Sequence, residues 1–169
     1  KFYANGTSAY AAIADTYNKV RISNSLFDEP HTYKVWCEGS EVIQHNPEFK
    51  YWKGKVDLCM TSCPYFNREI YSDDPTQSSI KFPAYHLWRE GFLRPTIATA
   101  WEWLKRDRYL LWNIADLKMS DNTFLPLEQD SIDIAKSLGF IYQEKIAMEL
   151  RSMPGANRVS EDGTLTAKN

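Results

Sequence analysis

A proline that stops an apolar run limits what this chain can fold into. In Asp57-Leu-Cys-Met-Thr-Ser-Cys-Pro-Tyr-Phe-Asn67, apolar Val56, Leu58 and Met60 are interleaved with Asp57 and Cys59. That pattern reads as a buried strand over Val56–Met60, running on to Thr61. Pro64 has no backbone N–H and a fixed φ, so a β-ladder cannot continue past it. The Ser62 hydroxyl, a rigid backbone at Cys63-Pro64 and the Tyr65 ring are therefore presented together at a strand's carboxyl end. In an open α/β sheet that edge is where ligands bind.

The segments around this stretch read as strands alternating with helices. Phe2-Tyr3-Ala4 looks like the end of a strand, Asn5-Gly6-Thr7-Ser8 is a turn, and Thr7 or Ser8 can cap a helix. Tyr10, Ile13, Ala14, Tyr17 and Val20 recur at helical spacing. Tyr33–Cys37 reads as a second strand ended by Glu38-Gly39-Ser40-Glu41. A short helical piece through Val42 and Ile43 is expected to break at Asn46-Pro47. From Asn67 to Ser79 the chain is polar and turn-rich around Asp73-Asp74-Pro75, which suits a substrate loop or a plain surface excursion. Tyr85, Trp88, Phe92, Ile97, Trp101 and Leu104 follow helical steps. They predict one amphipathic helix, or two broken near Gly91 and Pro95, with the rings in the core. Tyr109–Ala115 reads as a near-continuous buried strand. Leu117–Pro126 reads as a loop, and Leu127–Leu138 as a helix ended by Gly139. Phe140–Leu150 reads as a fifth strand. The expected fold class is α/β, a doubly wound, mostly parallel sheet over residues 1–151. A loop or disordered tail is expected over 152–169, where no apolar periodicity remains.

Composition narrows the function. The 169 residues are one domain's worth, 43% hydrophobic and 25% charged, as in ordinary globular proteins. Aromatics make up 14%, which fits a dense core or a base-stacking site. A net charge of −2 provides no global attraction to nucleic acid, although basic groups recur at Lys50-Lys53-Lys55, Lys105-Arg106-Arg108 and Arg151-Arg158. The odd set Cys37, Cys59 and Cys63 argues against a disulfide framework and for a reducing compartment. No second Cys/His pair accompanies Cys59 and Cys63, and His31, His45 and His86 are scattered, so no metal site is expected. No apolar run approaches a membrane span and no secretory signal opens the chain, so a soluble intracellular protein is expected.

The stretch itself offers no strong nucleophile-base pair. Ser62 lacks the flanking glycines of a nucleophile elbow, and Cys63 has only distant His45 or His86 as possible bases. No GxGxxG or GKS/GKT phosphate cradle is present. What remains is a pair of acceptors beside a flat ring: the Ser62 hydroxyl and the Cys63 carbonyl can both accept from one –NH₂ group, while Tyr65 stacks on the planar group that bears it. Two acceptors on its hydrogens favour the pyramidal, nucleophilic nitrogen, and proximity to an electrophile supplies much of the remaining rate.

These residues carry a resemblance. Thr61-Ser62-Cys63-Pro64-Tyr65-Phe66 is similar to the (Asp/Asn/Ser)-Pro-Pro-(Tyr/Phe/Trp) motif of the amino-group DNA methyltransferases of phages and bacteria, which act on adenine N6 or cytosine N4. The similarity extends through Gln77-Ser78, Tyr85, Trp88, Phe92-Leu93, Leu104-Lys105, Leu111–Asp116, Leu125-Pro126-Leu127 and Gly139-Phe140, about three quarters of the chain. The resemblance implies a Rossmann-like fold, S-adenosylmethionine as cofactor, and DNA as partner with the target base flipped out of the duplex. It also implies the cytoplasm of a bacterial or phage-infected cell, where such enzymes serve restriction-modification. By position, Ser62, Cys63, Pro64 and Tyr65 would be the catalytic set, with Tyr65, Phe66 and Asn67 on the base. Asn5, Thr7, Glu38, Ser40, Thr61 and Ser62 would face the cofactor.

Departures from the family pattern are equally specific. Cys63 replaces the first proline but keeps its carbonyl. No Asp or Glu stands at Asn5-Gly6-Thr7, where an acid usually binds ribose. The glycine-rich Phe-x-Gly-x-Gly element is not among these residues, nor is a final strand after Phe140–Leu150. The expectation is a methyltransferase fold incomplete at both ends, its cofactor site completed by a further segment or a second polypeptide. A cofactor-deficient binding or scaffold protein on the same fold is the alternative, as is a methyltransferase for RNA or protein amides.

Overall fold

The computed structural model describes residues 34–70 and 73–147. The expected strand at residues 2–4, the helix over 10–20, Asn5, Thr7 and the tail over 152–169 lie outside them. After an irregular lead, Ile43–His45 forms a 3₁₀ turn and Pro47–Lys50 forms α1. Strand β1 is Val56–Ser62, followed by the short helices α2 (Ser78–Lys81) and α3 (Tyr85–Trp88). A π-helical turn over Arg89–Leu93 leads into α4, Arg94–Trp103. Strand β2 (Leu104–Asn113), the two-residue strands β3 (Leu117–Lys118) and β4 (Phe124–Leu125), and α5 (Leu127–Leu138) complete the order.

β1 and β2 pair in parallel, with Leu58 opposite Tyr109, Met60 opposite Leu111 and Ser62 opposite Asn113. The helical run between them is the crossover that a parallel pair requires. β3 and β4 form a small antiparallel hairpin inside the segment expected to be loop. Mixed α/β architecture with a parallel sheet is thus present. Among the described residues the sheet has two strands rather than a doubly wound set.

Several local expectations are corrected. Residues 34–37 are not a strand. Trp36 turns its ring edge-on to Phe49 and Trp103, and Lys34 pairs with Glu48, so the side chains dock on helices and the backbone joins no ladder. Asn46-Pro47 starts a helix instead of breaking one: Asn46 Oδ1 accepts from the Glu48 N–H at 2.9 Å, and Pro47 occupies the first helical position, where a missing N–H costs nothing. Residues 140–147 are likewise irregular, with Phe140 packed edge-on against Trp101 and Lys145 paired with Glu128.

The helix over residues 85–103 is continuous, and neither Gly91 nor Pro95 breaks it. In an α-helix Pro95 would clash with the carbonyl of Gly91 and fail to bond it. The wide turn accommodates this: the Arg94 N–H bonds back to the Arg89 carbonyl, one residue further than in an α-helix. Gly91 lies under Phe82, whose ring fills the space a Cβ would take. The helix over residues 127–138 is found as expected. Gly139 ends it at φ +113, and Asp116 Oδ1 accepts from the Glu128 N–H at 2.8 Å, capping its first turn from across the hairpin.

The core lies on one side of the sheet. Trp88, Phe92, Leu93, Ile97, Leu127 and Ile134 are buried together with Cys63 and Phe66. Of the residues at helical spacing, Trp88, Phe92 and Ile97 are core and Tyr85 packs against it, whereas Trp101 is 43% exposed and Leu104 is buried in β2 rather than in the helix. The two strands are not buried on both faces. Leu58 (51% exposed), Met60 (75%), Tyr109 (62%) and Leu111 (44%) share the outer face, while Cys59, Thr61, Leu110 and Trp112 turn toward the helices. The alternation of β1 holds, but with the core side assigned to its less apolar residues. No described helix is long and apolar enough to cross a membrane.

Candidate functional site

Strand periodicity decides how the motif is presented. Residues 58, 60 and 62 point to the outer face and residues 59, 61 and 63 to the helices. Ser62 consequently ends β1 exposed, and Cys63 is buried in the aromatic core. Asn113 stands opposite Ser62 in the ladder, its Nδ2 3.4 Å from Ser62 Oγ. A hydroxyl oxygen has two lone pairs, so one remains for an incoming donor. Thr61 is half-buried beside Trp112.

The Cys63 thiol is not a nucleophile here. Burial, and then the nearby carboxylate of Glu69, push it up to about 12. A thiol that is both buried and shifted upward has little thiolate and little access to a reagent, so it is unreactive in the folded chain. Its Sγ donates a long hydrogen bond to the next carbonyl, that of Pro64, at 3.7 Å. Two consequences are measurable. Exposed Cys37 should react with a thiol reagent at pH 8 in the native chain, whereas Cys63 should react only on unfolding. Because the folded chain keeps this proton after the unfolded chain has lost it, Cys63 contributes stability below its ordinary value of about 9. That contribution is lost progressively as the pH rises toward about 12. Urea unfolding of wild type and Cys63→Ala across pH 8–11 checks the sign, the slope being shallower in the variant.

After Pro64 the chain turns sharply. The Arg68 N–H bonds the Tyr65 carbonyl at 2.9 Å, and Phe66 adopts φ +49 with its ring buried. Tyr65 packs half-buried against the core, and Asn67 is exposed. Ser62, Cys63, Pro64, Tyr65, Phe66 and Asn67 thus form one continuous ledge at the carboxyl end of β1.

The turn expected to meet a cofactor makes side-chain contacts to α4 and to the start of α1. Glu38 accepts from Asn46 Nδ2, and Ser40 Oγ lies 3.0 Å from Thr96 Oγ1 on α4. Glu41, buried beside them, pairs with Lys81 of α2 at 2.9 Å. Among the described residues no hydrogen bond or ring contact joins Glu38 or Ser40 to the Ser62–Tyr65 ledge. A further polar group lies behind the ledge, on residues that no sequence motif marks. Tyr85 Oη donates to Asp130 Oδ2 at 2.6 Å, and Arg89 pairs with Asp130 Oδ1 at 3.0 Å. Burial and the Asp130 carboxylate push the Tyr85 phenol upward, so it stays a donor. Asn113 could have been found by pairing the two strand carboxyl ends. The Tyr85–Asp130 bond spans separate helices and leaves no local pattern.

Among the described residues no group of three His, Cys, Asp or Glu side chains is placed to hold a metal. No family model, curated protein or solved structure matches the chain.

Proposed function

We propose that this chain carries the target-amine half of a methyl-transfer site, taking a methyl group from S-adenosylmethionine to the exocyclic amine of adenine or cytosine in DNA. The observation that supports this most directly is the ledge itself. An exposed Ser62 oxygen, the Cys63-Pro64 backbone and the Tyr65 ring follow one another at the carboxyl end of a parallel strand. Two acceptors and a stacking face are what an sp²-bound amine needs to become a nucleophile, and a base reaching them must leave its duplex.

S-adenosylmethionine would supply an electrophilic methyl group. This chain's part is to accept the amine hydrogens at Ser62 Oγ and the Cys63 carbonyl, and to hold the base plane against Tyr65. With Cys63 protonated and buried, no covalent enzyme intermediate enters this reading. A Rossmann-like sheet, with further strands beside β1 and β2, belongs to the same proposal.

The test is calorimetry with S-adenosylmethionine followed by tritiated methyl transfer to duplex DNA, RNA and protein. Cofactor heat with label in DNA supports the reading. Absence of heat at millimolar cofactor excludes an active enzyme in this chain and leaves the scaffold reading, whereas label in RNA or protein alone moves the acceptor class.

A further inference from the structure

We propose that Phe66 is a positioning residue: its buried ring locks a left-handed turn that aims Tyr65 and the Cys63 carbonyl. A bulky residue at φ +49 is rare, because its Cβ crowds the backbone, and such a conformation persists only where the surroundings over-determine it. Here the surroundings do so. The Phe66 ring meets Tyr85 edge-on at 5.6 Å and Trp88 at 5.8 Å. Both partners are fixed in turn, Tyr85 by its 2.6 Å bond to Asp130 and Trp88 by its indole N–H to Ser78 Oγ at 3.2 Å. Asp130 is held by Arg89 at 3.0 Å. The cage is therefore built from three helices, and the Phe66 ring enters it from the motif side.

The geometry separates two tasks within adjacent residues. Tyr65 stays half-buried with surface left to offer, and Phe66 is spent entirely on holding the turn. The bond from the Arg68 N–H to the Tyr65 carbonyl closes that turn. What Tyr65 is aimed at rests on the methyl-transfer reading; that Phe66 fixes it does not.

The test is amide hydrogen exchange on the full chain. In Phe66→Ala the Arg68 amide is expected to exchange at least tenfold faster than in wild type, while the α5 amides around Ile134 keep their rates. An unchanged Arg68 rate overturns the proposal. If Phe66→Ala loses protection in α5 as well, Phe66→Leu keeps an apolar side chain in the cage. A threefold faster Arg68 exchange is then expected, and no change overturns. In a methyl-transfer assay, kcat should fall tenfold or more with S-adenosylmethionine affinity unchanged within twofold. Loss of cofactor affinity instead would contradict a positioning role. A wild-type chain without methyl transfer would sink the functional reading and leave the exchange result to decide on Phe66.

Discussion

Trp88→Ala is expected to destabilise the chain by about 3–5 kcal/mol, the cost of emptying a large aromatic site that cannot collapse. Trp88 is fully buried and packs against Phe66, Tyr85 and Phe92. Its indole N–H is also the partner of Ser78, whose buried hydroxyl would lose a donor. The ring thus joins α2, the motif turn and the wide helical turn at a single point. Urea unfolding measures the effect as a lower midpoint at unchanged slope. Exposed Tyr51 is the control, since its replacement by alanine should stay within about 0.5 kcal/mol. Equal midpoints for the two variants would show that the packing centre lies elsewhere.

Ser62→Ala is the complementary case, with a large effect on chemistry and a small one on the fold. Ser62 is exposed at the end of β1, and its hydroxyl accepts a long hydrogen bond from Asn113. Stability should therefore move by no more than about 0.5 kcal/mol. In the proposed reaction its oxygen accepts from the amine as charge develops on nitrogen. Deleting a group aimed at transition-state charge typically costs about 10²-fold or more in kcat. The measurement is tritiated methyl transfer under single-turnover conditions with cofactor saturating. A rate within threefold of wild type would remove Ser62 from the acceptor role. Asn113→Ala should give a smaller loss, because it only orients the hydroxyl.

The parts of the fold that sequence made legible are those where local chemistry and packing agree. Leu127–Leu138 has apolar periodicity and a terminal glycine, and it is the helix observed. Strand β1 ends where Pro64 requires. Misreadings fall where one residue type serves opposite ends of an element. Asn46-Pro47 reads as a helix breaker in isolation, yet the same pair is a good helix start once the Asn46 side chain turns onto the Glu48 N–H. The segment at 34–37 has strand composition, but Trp36 finds aromatic partners on helices and the backbone is left unpaired. Apolar alternation in β1 has the right period and the wrong side, since Leu58 and Met60 face outward. Which face meets the helices depends on the far larger residues Trp88 and Phe92, outside the strand altogether. At the candidate site the same division holds. The motif residues are contiguous and readable, whereas the cage behind them draws Tyr85, Trp88 and Asp130 from positions that no local pattern connects.

The wide turn at Arg89–Leu93 sets the rotational phase of the helix it interrupts. At about 3.6 residues per turn, Trp88 and Ile97 are two and a half turns apart, and a regular α-helix would put them on opposite sides. Both are nonetheless buried, because the widened turn lags behind the regular pitch. The helix is indexed in two halves: the amino-terminal half faces the motif with Tyr85 and Trp88, and the carboxyl-terminal half faces α5 with Ile97. A single-residue insertion or deletion between them would not lengthen or shorten a rod. It would rotate the cage of Phe66 by about 100° relative to the rest of the core. The spacing between Trp88 and Ile97 is therefore as strictly constrained as the identity of either residue.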